Sequence, residues 1–388
     1  MIKLILTTLS SIVITSTAFA VETPPTNVSN DIISNVHNRC IVRLHDALDD
    51  VSVTGLARAF AAQNNTSIKH VYKHSINGFT INIPCHAAGL AFGQDPYVIS
   101  MTPDSIMSIN KGKPNKGGDG GTPPDPQKVS YGTDLVGGAI DGSGYTAWVI
   151  DTGIDEDHPD LNVDVSRGFS IIKSRGRFDM NDQNGHGTHV AGIIGAIDND
   201  IGSLGVAPNT VVIPVRVLDR SGSGSTSGVI AGIEHVATEA SDGDCVNMSL
   251  GGGVSQILDE AVLKAAKATG AYFVLAAGND GDDASNHSPA RTNGENIWTI
   301  SAIGLLDAEN NHTNAMPSWS NWGSSVDYAA PGVDIFSLWK NGETKTISGT
   351  SMAAPHACAI IMRTKNNQSS VGTVINDPDG TPDPVIHY

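Results

Sequence analysis

Two kinds of hydrophobic pattern alternate through the second part of the chain. Short, continuous apolar runs of strand length cover residues 145–150, 211–218, 245–250 and 271–277. Stretches with apolar residues at helical spacing cover residues 190–197, 227–239 and 258–269. Buried strands that alternate with helices are typical of a parallel sheet covered on both faces. The pattern predicts an α/β fold for residues 128–388, a doubly wound parallel sheet with helices on both faces.

The region before it, residues 39–110, has a different pattern. It predicts a strand, a helix with Leu56 and Phe60 on one face, a strand pair around the turn at Asn77-Gly78, a second helix and two short extended pieces. The predicted segments are residues 40–44, 53–63, 79–83, 86–93, 97–101 and 105–109. The order β-α-β-β-α-β predicts a small α+β ferredoxin-like sandwich.

The first 20 residues have the features of a signal peptide. Lys3 precedes a short apolar stretch, residues 4–18, and Ala18-Phe19-Ala20 is a small-x-small cleavage site. The stretch is too short and too polar to span a membrane as a helix. We therefore expect cleavage after Ala20 and a secreted, extracellular protein that is soluble after export.

Residues 111–127 are expected to be an exposed linker. Their sequence from 111 to 126 is K-G-K-P-N-K-G-G-D-G-G-T-P-P-D-P, which offers no apolar core. Exposed linkers of this kind are where proteolytic cuts fall. We expect a processing site between Ile109 and Lys128.

Charge narrows the class of partner. The chain of 388 residues has a net charge of −17, and residues 126–388 carry 14 basic and 31 acidic side chains. The acidic excess therefore lies wholly in the predicted α/β part. Such a surface excludes nucleic-acid binding, which needs a basic face. The carboxylates serve solubility, or some of them hold Ca²⁺.

The four cysteines lie in two groups. Cys40 and Cys85 both fall in the N-terminal region and can pair in an exported protein. Cys245 lies in an apolar strand and Cys358 in an apolar helix. For this second pair we expect buried free thiols.

Polar residues follow or begin several of the predicted elements. Asp151 comes directly after a buried strand, where an acid is well placed to orient an imidazole. His186 lies in N-G-H-G-T-H-V-A-G, and its spacing of three from His189 leaves a metal pair as a rival interpretation. No third ligand lies near in sequence, so His189 is expected to be a structural helix residue.

Ser351 and Asn279 complete this set. Ser351 lies in S-G-T-S-M-A-A-P-H, where a glycine leads into a helix. The backbone N–H of a serine at a helix N-terminus has no partner within the helix and can stabilise an oxyanion. Asn279 ends the run V-L-A-A-G-N, and its amide is a candidate for a second oxyanion hydrogen bond. Taken singly, these residues are equally compatible with capping and turn roles.

Four segments together resemble the active-site motifs of the subtilisin-like serine proteases, peptidase family S8. They are V-I-D-T-G-I, N-G-H-G-T-H-V-A-G, L-A-A-G-N and G-T-S-M-A-A-P-H, in the family's order of Asp, His and Ser. Residues 288–290, S-P-A, and 327–332, D-Y-A-A-P-G, are similar to the proteinase K-like branch. The resemblance covers residues 128–388, and residues 39–110 resemble the inhibitor-type propeptide domain of this family, so we expect the propeptide to span residues 21–110.

The resemblance implies a role for each matched residue. Ser351 would be the nucleophile, His186 the general base and acid, and Asp151 the residue that orients His186. The Asn279 side chain would form the oxyanion hole with the N–H of Ser351. The segment Ser249, Leu250 and Gly251 would bind an extended peptide substrate, and Ala276, Ala277 and Gly278 would form a small-residue wall of the specificity pocket.

This reading predicts a broad-specificity serine endopeptidase (a hydrolase) that prefers large apolar residues before the cut. The partners would be protein and peptide substrates and the chain's own propeptide as inhibitor, with no nucleic acid and no membrane, and the enzyme would be a monomer. The alternatives are a narrow-specificity processing protease and a catalytically dead peptide-binding relative.

No cofactor is expected for catalysis, and the resemblance allows a structural calcium ion. The candidate carboxylates are Asp179, Asp182 and Asp327. They are scattered along the chain and do not define a metal site. One departure from the family's pattern stands in the serine helix, where Ala357-Cys358-Ala359 replaces the usual V-A-G. The added methyl of Ala359 could cost about 1–3 kcal/mol if nothing repacks.

Overall fold

The computed structural model describes residues 35–109 and 126–388. The predicted signal peptide and most of the predicted linker lie outside the described residues. The first described range forms what we call the N-terminal unit, and the second forms the α/β unit.

The N-terminal unit has the predicted β-α-β-β-α-β order. Its elements are β1 (Cys40–Leu44), α1 (Asp50–Gln63), β2 (Ile68–Tyr72), β3 (Gly78–Ile81), α2 (Cys85–Phe92), β4 (Val98–Pro103) and β5 (Ile106–Ile109). The first four strands form an antiparallel sheet in the order β2-β3-β1-β4, the ferredoxin-like arrangement. Helix α1 begins where Asp49 accepts a hydrogen bond from the N–H of Ser52.

The core of this unit lies between the sheet and its two helices. Val42, Phe60 and Phe79 are buried in it, and the rings of Phe60 and Phe92 stack at 4.4 Å. The bond between Cys40 and Cys85, which the sequence allowed but did not settle, is present and joins β1 to α2, with the Cα atoms 4.7 Å apart. Strand β5 does not join this sheet.

The α/β unit supplies the remaining elements. They are β6 (Lys128–Val129), α3 (Tyr131–Leu135), β7 (Thr146–Asp151), β8 (Asn162–Val163), β9 (Phe169–Ser170), β10 (Lys173–Ser174), β11 (Arg177–Phe178), α4 (His186–Gly195), β12 (Ser203–Leu204), β13 (Val211–Arg216), β14 (Ser223–Ser225), α5 (Thr226–Glu239), β15 (Cys245–Met248), β16 (Leu250–Gly253), α6 (Gln256–Thr269), β17 (Tyr272–Ala276), β18 (His287–Ser288), β19 (Ile297–Ile303), β20 (Tyr328–Pro331), β21 (Ile335–Trp339), β22 (Glu343–Ile347), α7 (Thr350–Thr364), β23 (Ser369–Thr373) and β24 (Pro384–His387). Short 3-10 helices cover Ala284–Asn286 and Lys340–Gly342.

The predicted parallel sheet forms the centre of this unit. It has ten strands, ordered β23-β24-β20-β19-β17-β15-β7-β13-β8 with β9 also on β13. Its central pairs, from β20 to β13, are all parallel. Successive side chains of a strand face opposite sides: Ala147 and Val149 pack with α4 and α7, whereas Trp148 and Ile150 pack with α5 and α6. Helices therefore cover both faces, as predicted.

The prediction of free thiols at Cys245 and Cys358 was wrong. The two residues form a disulfide between β15 and α7, with the Cα atoms 5.9 Å apart. The side chain of Cys245 points to the same face of the sheet as Ala147, which is the face that α7 covers. Each residue was placed in the right element, but 113 residues separate them and no local pattern reveals that strand and helix cross there.

Two element boundaries also differ from prediction. Helix α4 begins at His186 and not at residue 190, so the histidine stands in its first turn. The run predicted as one strand over residues 245–250 is divided at Ser249 into β15 and β16. Over the two described ranges, no helix is long and apolar enough to cross a membrane.

Candidate active site

The predicted site residues gather at the carboxyl end of the central sheet. Asp151 is the last residue of β7, and Asn279 follows β17 by three residues. His186 opens α4, and Ser351 is the second residue of α7. In doubly wound sheets this edge is where ligands bind.

Asp151 and His186 are in direct contact. The Nδ1 atom of His186 lies 2.8 Å from Oδ1 and 2.9 Å from Oδ2 of Asp151, and the carboxylate is fully buried. The backbone N–H of Thr152 donates to the same carboxylate at 2.7 Å. An ionised carboxylate in this position holds the imidazole with its proton on Nδ1 and leaves Nε2 as the basic atom.

The turn into α4 depends on a glycine. Gly185 has a φ of 112°, in the region that favours glycine, and a Cβ there would lie 2.2 Å from the ring of Trp339. The N–H of His186 donates to Oδ1 of Asn184 at 3.2 Å. The imidazole is therefore presented by a tight turn that a larger residue at position 185 would disrupt.

A buried carboxylate supports this turn from behind. Oδ1 of Asp182 accepts from the backbone N–H groups of Asn184 and Gly185, each at 2.8 Å, and Oδ2 accepts from the backbone and the hydroxyl of Thr188. Burial raises the pKa of Asp182, and these hydrogen bonds oppose that shift.

The candidate calcium ligands do not form a common site. Both oxygen atoms of Asp182 are engaged by donors of the protein itself, Asp179 pairs with Arg216 at 3.1 Å, and Asp327 accepts from the N–H of Thr299 at 2.8 Å. Residues 35–109 and 126–388 contain no group of three or more His, Cys, Asp or Glu side chains arranged to hold a metal. These residues therefore do not fit a metal ion, and calcium stays a prediction from resemblance.

His189 has a structural environment. Its Nε2 atom lies 3.1 Å from the carbonyl of Ile335 and 3.0 Å from that of Lys345, so it can donate to both. The side chain is fully buried, and this burial lowers its pKa to about 3. The ring thus ties α4 to β21 and β22, and the rival metal-pair interpretation has no support.

Ser351 is buried beside the strand junction at Ser249. Its Oγ donates to the carbonyl of Ser249 at 3.2 Å, and Oγ of Ser249 donates in return to the carbonyl of Ser351 at 2.9 Å. Nε2 of His186 is buried and has no hydrogen-bond partner within the described part of the chain. The hydrogen bond between Ser351 Oγ and His186 Nε2 that the predicted roles require is therefore not formed in this structure. Catalytic hydrogen bonds of this kind can tighten when substrate binds.

Asn279 is held by the residue before the serine. Its Oδ1 atom accepts from the backbone N–H of Thr350 at 2.9 Å and from the Thr350 hydroxyl at 3.0 Å. This anchoring orients the amide, and Nδ2 is its donor atom, the one that an oxyanion would require. The N–H of Gly278 donates to the same Thr350 hydroxyl at 3.1 Å, which ties the predicted pocket wall to the serine turn. Ala276 and Ala277 are buried at the end of β17.

The predicted substrate-binding segment already holds a strand. Leu250 and Gly251 pair antiparallel with Ile109 and Ser108 of β5. On its other side, β5 pairs antiparallel with β14, and the N–H of Ile109 donates to the carbonyl of Gly222 at 2.9 Å. The sequence analysis did not identify β14 as a second strand that binds β5. The only sequence signal for β14 was the turn-forming run S-G-S-G-S from residue 221.

Comparison with known proteins agrees with this geometry. The model of the subtilase family (Peptidase_S8) matches residues 142–375. The chain belongs to the subtilase family. This membership makes it a serine endopeptidase, a hydrolase.

Three relatives show how far the similarity extends. The alkaline serine exoprotease A of Vibrio alginolyticus is 41% identical to this chain. The match covers 78% of this chain and 54% of the relative's length. Proteinase T of Parengyodontium album is 42% identical over 56% of this chain and 70% of its own. The crystal structure of a cold adapted subtilisin-like serine proteinase is 40% identical with a TM-score of 0.55, covering 64% of this chain and 90% of that one.

Proposed function

We propose that this subtilase is a secreted endopeptidase that forms an acyl-enzyme on Ser351. One observation carries the proposal. The chain's own β5 lies as an extended strand between β14 and β16, beside the contact between Ser249 and Ser351 and on the same edge of the sheet as the Asp151–His186 pair. A peptide substrate would lie in the same place, bound through main-chain hydrogen bonds.

The arrangement assigns a step to each side chain. Ser351 Oγ attacks the peptide carbonyl carbon while Nε2 of His186 takes its proton, and Asp151 stabilises the imidazolium. Nδ2 of Asn279 and the N–H of Ser351 at the start of α7 stabilise the oxyanion. His186 then protonates the leaving amine as the peptide bond breaks. Water, deprotonated by His186, then attacks the acyl carbon, and His186 returns the proton to Oγ of Ser351 as the ester bond breaks and the acid product leaves.

The N-terminal unit would act as an inhibitor of this site. Its β5 occupies the substrate strand, and polar contacts hold the unit on α5 and α6 of the α/β unit. Glu234 accepts the backbone N–H groups of Lys73, His74 and Ser75 at 2.6–2.9 Å. Arg43, which is only 3% exposed, donates to Glu260 at 2.7 Å. Maturation would require cutting the chain after β5.

The strand register narrows the expected processing site. Ile109 lies opposite Leu250 in an antiparallel pair, so a chain that continued this register would bring its next peptide group opposite Ser249. The carbonyl of Ser249 is the group that contacts Oγ of Ser351. Within the interval from Ile109 to Lys128, we therefore expect the cut directly after the end of β5.

The side chains of β5 indicate the specificity. Met107 is fully buried and would lie 2.9 Å from a Cβ at Gly252, and Ile109 lies against Gly222. The subsites before the cut therefore accept large apolar side chains, and main-chain pairing keeps the selectivity broad. A narrow processing protease would need restrictive contacts beyond these. Faster cleavage after Lys or Glu than after Phe or Leu would contradict the expected preference at the cut itself.

Intact masses of the expressed chain test the proposal. We expect the wild type to lose its N-terminal region, Ser351→Ala to stay full length, and Ser370→Ala, an exposed serine on β23, to behave as wild type. The mass of the wild-type product would locate the cut. A wild type without peptidase activity would favour the catalytically dead relative, whereas cleavage of both chains at one site would show that another protease processes them.

A further inference from the structure

The carbonyl group of Ser351 lacks its normal partner in the helix. In an α-helix the carbonyl of residue 351 accepts from the N–H of residue 355. That residue is Pro355, which has no N–H and whose ring crowds the carbonyl four residues earlier. Ser351 and Pro355 are both buried, so an unsatisfied carbonyl there would be costly.

Ser249 provides the missing hydrogen bond. Its Oγ donates to the Ser351 carbonyl at 2.9 Å, and its own carbonyl accepts from Oγ of Ser351 at 3.2 Å. One residue thus holds both the backbone and the hydroxyl of the nucleophile. Ser249 is also the junction between β15 and β16, next to the residues that pair with β5.

Asn247 orients the hydroxyl of Ser249. Its Nδ2 atom donates to Ser249 Oγ at 2.8 Å, which directs the hydroxyl hydrogen towards the Ser351 carbonyl. The asparagine is fully buried in the central strand β15, and its Oδ1 atom has no hydrogen-bond partner among the described residues. An apolar side chain of similar size would avoid that buried, unpaired acceptor, so this site does not favour asparagine for stability alone.

We propose that Asn247 and Ser249 are positioning residues for the nucleophile. They form a relay that replaces the helical hydrogen bond lost at Pro355 and fixes the backbone of Ser351 relative to β16, the strand on which substrate is bound. The relay therefore couples the position of the nucleophile to that of the scissile peptide bond. This inference rests on the proposed function of Ser351.

The Ser249–Pro355 pair gives a direct test. Ser249→Ala should lower kcat per titrated active site about tenfold, the equivalent of about 1.4 kcal/mol, with KM changed less than about twofold. Pro355→Ala restores an N–H that can donate to the Ser351 carbonyl. In that background Ser249→Ala should therefore cost less than about twofold. An equal loss of kcat in both backgrounds would overturn the relay.

Asn247→Leu separates positioning from stability. It removes the donor to Ser249 together with the unpaired Oδ1, so we expect kcat to fall about threefold while Tm does not fall. The loss should disappear in the Ser249→Ala background, where the hydroxyl is already absent. A lower Tm with unchanged kcat would assign Asn247 a structural role only and refute its part in the proposal.

Thr210→Val is the matched control. Thr210 is also fully buried, and its hydroxyl donates to the carbonyl of Ala207 at 2.7 Å. It stands just before β13, at the end of the sheet opposite Asp151. Loss of this hydroxyl should lower Tm and leave kcat unchanged. A drop in kcat matching that of Ser249→Ala would show that any buried hydroxyl has this effect and would overturn the assignment.

Thermal melting keeps the two proposals distinguishable. A wild-type chain without activity would contradict the proposed function, but the Tm values of Ser249→Ala, Pro355→Ala and the double variant would still test the hydrogen bond. A smaller loss of Tm for Ser249→Ala in the Pro355→Ala background supports the relay. Equal losses in both backgrounds would overturn it.

Discussion

The N-terminal unit and the α/β unit are each held together by a buried apolar core and a disulfide, but they contact each other in a different way. The core of the α/β unit fills both sides of a ten-stranded sheet. The contact between the units combines the carboxylates of Glu234 and Glu260, the short strand β5, and apolar side chains such as Ile41 and Tyr72, which are buried in one cluster with residues of α5 and α6. Water can replace the carboxylate contacts when the N-terminal unit leaves, whereas the shared apolar cluster is lost. The comparison suggests permanent folding within each unit and reversible docking between them.

The substitution with the largest expected effect on kcat lies in the α/β unit, and we expect it to leave the fold of both units intact. Asn279→Ala should reduce kcat about 10²–10³-fold, the scale known for loss of an oxyanion donor in subtilisin, a relative. KM should change little, because the oxyanion develops only in the transition state, and Tm should change little, because the side chain is only half-buried. Active-site titration with steady-state kinetics would measure it. An unimpaired variant would remove Asn279 from the oxyanion hole.

The two disulfides sharpen the comparison of the cores. Replacing Cys245 and Cys358 together by Ala should lower the free energy of unfolding of the α/β unit by about 3 kcal/mol, because the bond closes a loop of 113 residues. Replacing Cys40 and Cys85 should affect only the N-terminal unit, whose bond spans 45 residues. Calorimetry would resolve the two transitions. If one replacement destabilised both units equally, the units would fold as one, contrary to the comparison.

The docking contact can be weakened without touching either core. Glu234→Gln removes the charge that accepts the three N–H groups of residues 73–75, so the N-terminal unit should be released about thirtyfold more readily. Glu239→Gln, at the exposed end of the same helix, is the control and should have no effect. Release is measured as the peptidase activity of the chain after cleavage, with the N-terminal unit left in the same solution. Equal activity of the two variants would exclude Glu234 from docking.

A smaller effect is expected from pH. Burial, with the positive charges of Lys69 and Arg39, lowers the pKa of His70 to about 3 in the docked state, and Glu234 and His235 line the same cavity. Release removes the burial but not the charges of Lys69 and Arg39, which lie in the same unit, so the pKa of His70 should rise towards its ordinary value. Docking is then strongest at neutral pH and weakens as the pH falls towards 3, by at most about tenfold at pH 5.5. His70→Asn should flatten the pH profile of release, and an unchanged profile would contradict this role.

The amino-acid sequence alone determined the elements and the chemistry. Apolar runs and helical spacing predicted both units, and the segments around Asp151, His186, Asn279 and Ser351 predicted which residues lie at the carboxyl end of the central sheet. These features are local: a strand, a helix start or a motif depends on neighbours a few residues away. The sequence also allowed the pairing of Cys40 with Cys85, since both lie in one small unit, but it left the connectivity open.

Tertiary structure alone decided how distant segments meet. It joined Cys245 to Cys358, divided the run over residues 245–250 at Ser249, and placed β5 between β14 and β16. Ser249 and Ser351 are 102 residues apart, and their reciprocal hydrogen bonds follow from how α7 crosses the sheet. No local pattern carries such information, because side-chain periodicity reports which face of an element is buried and not which partner covers it.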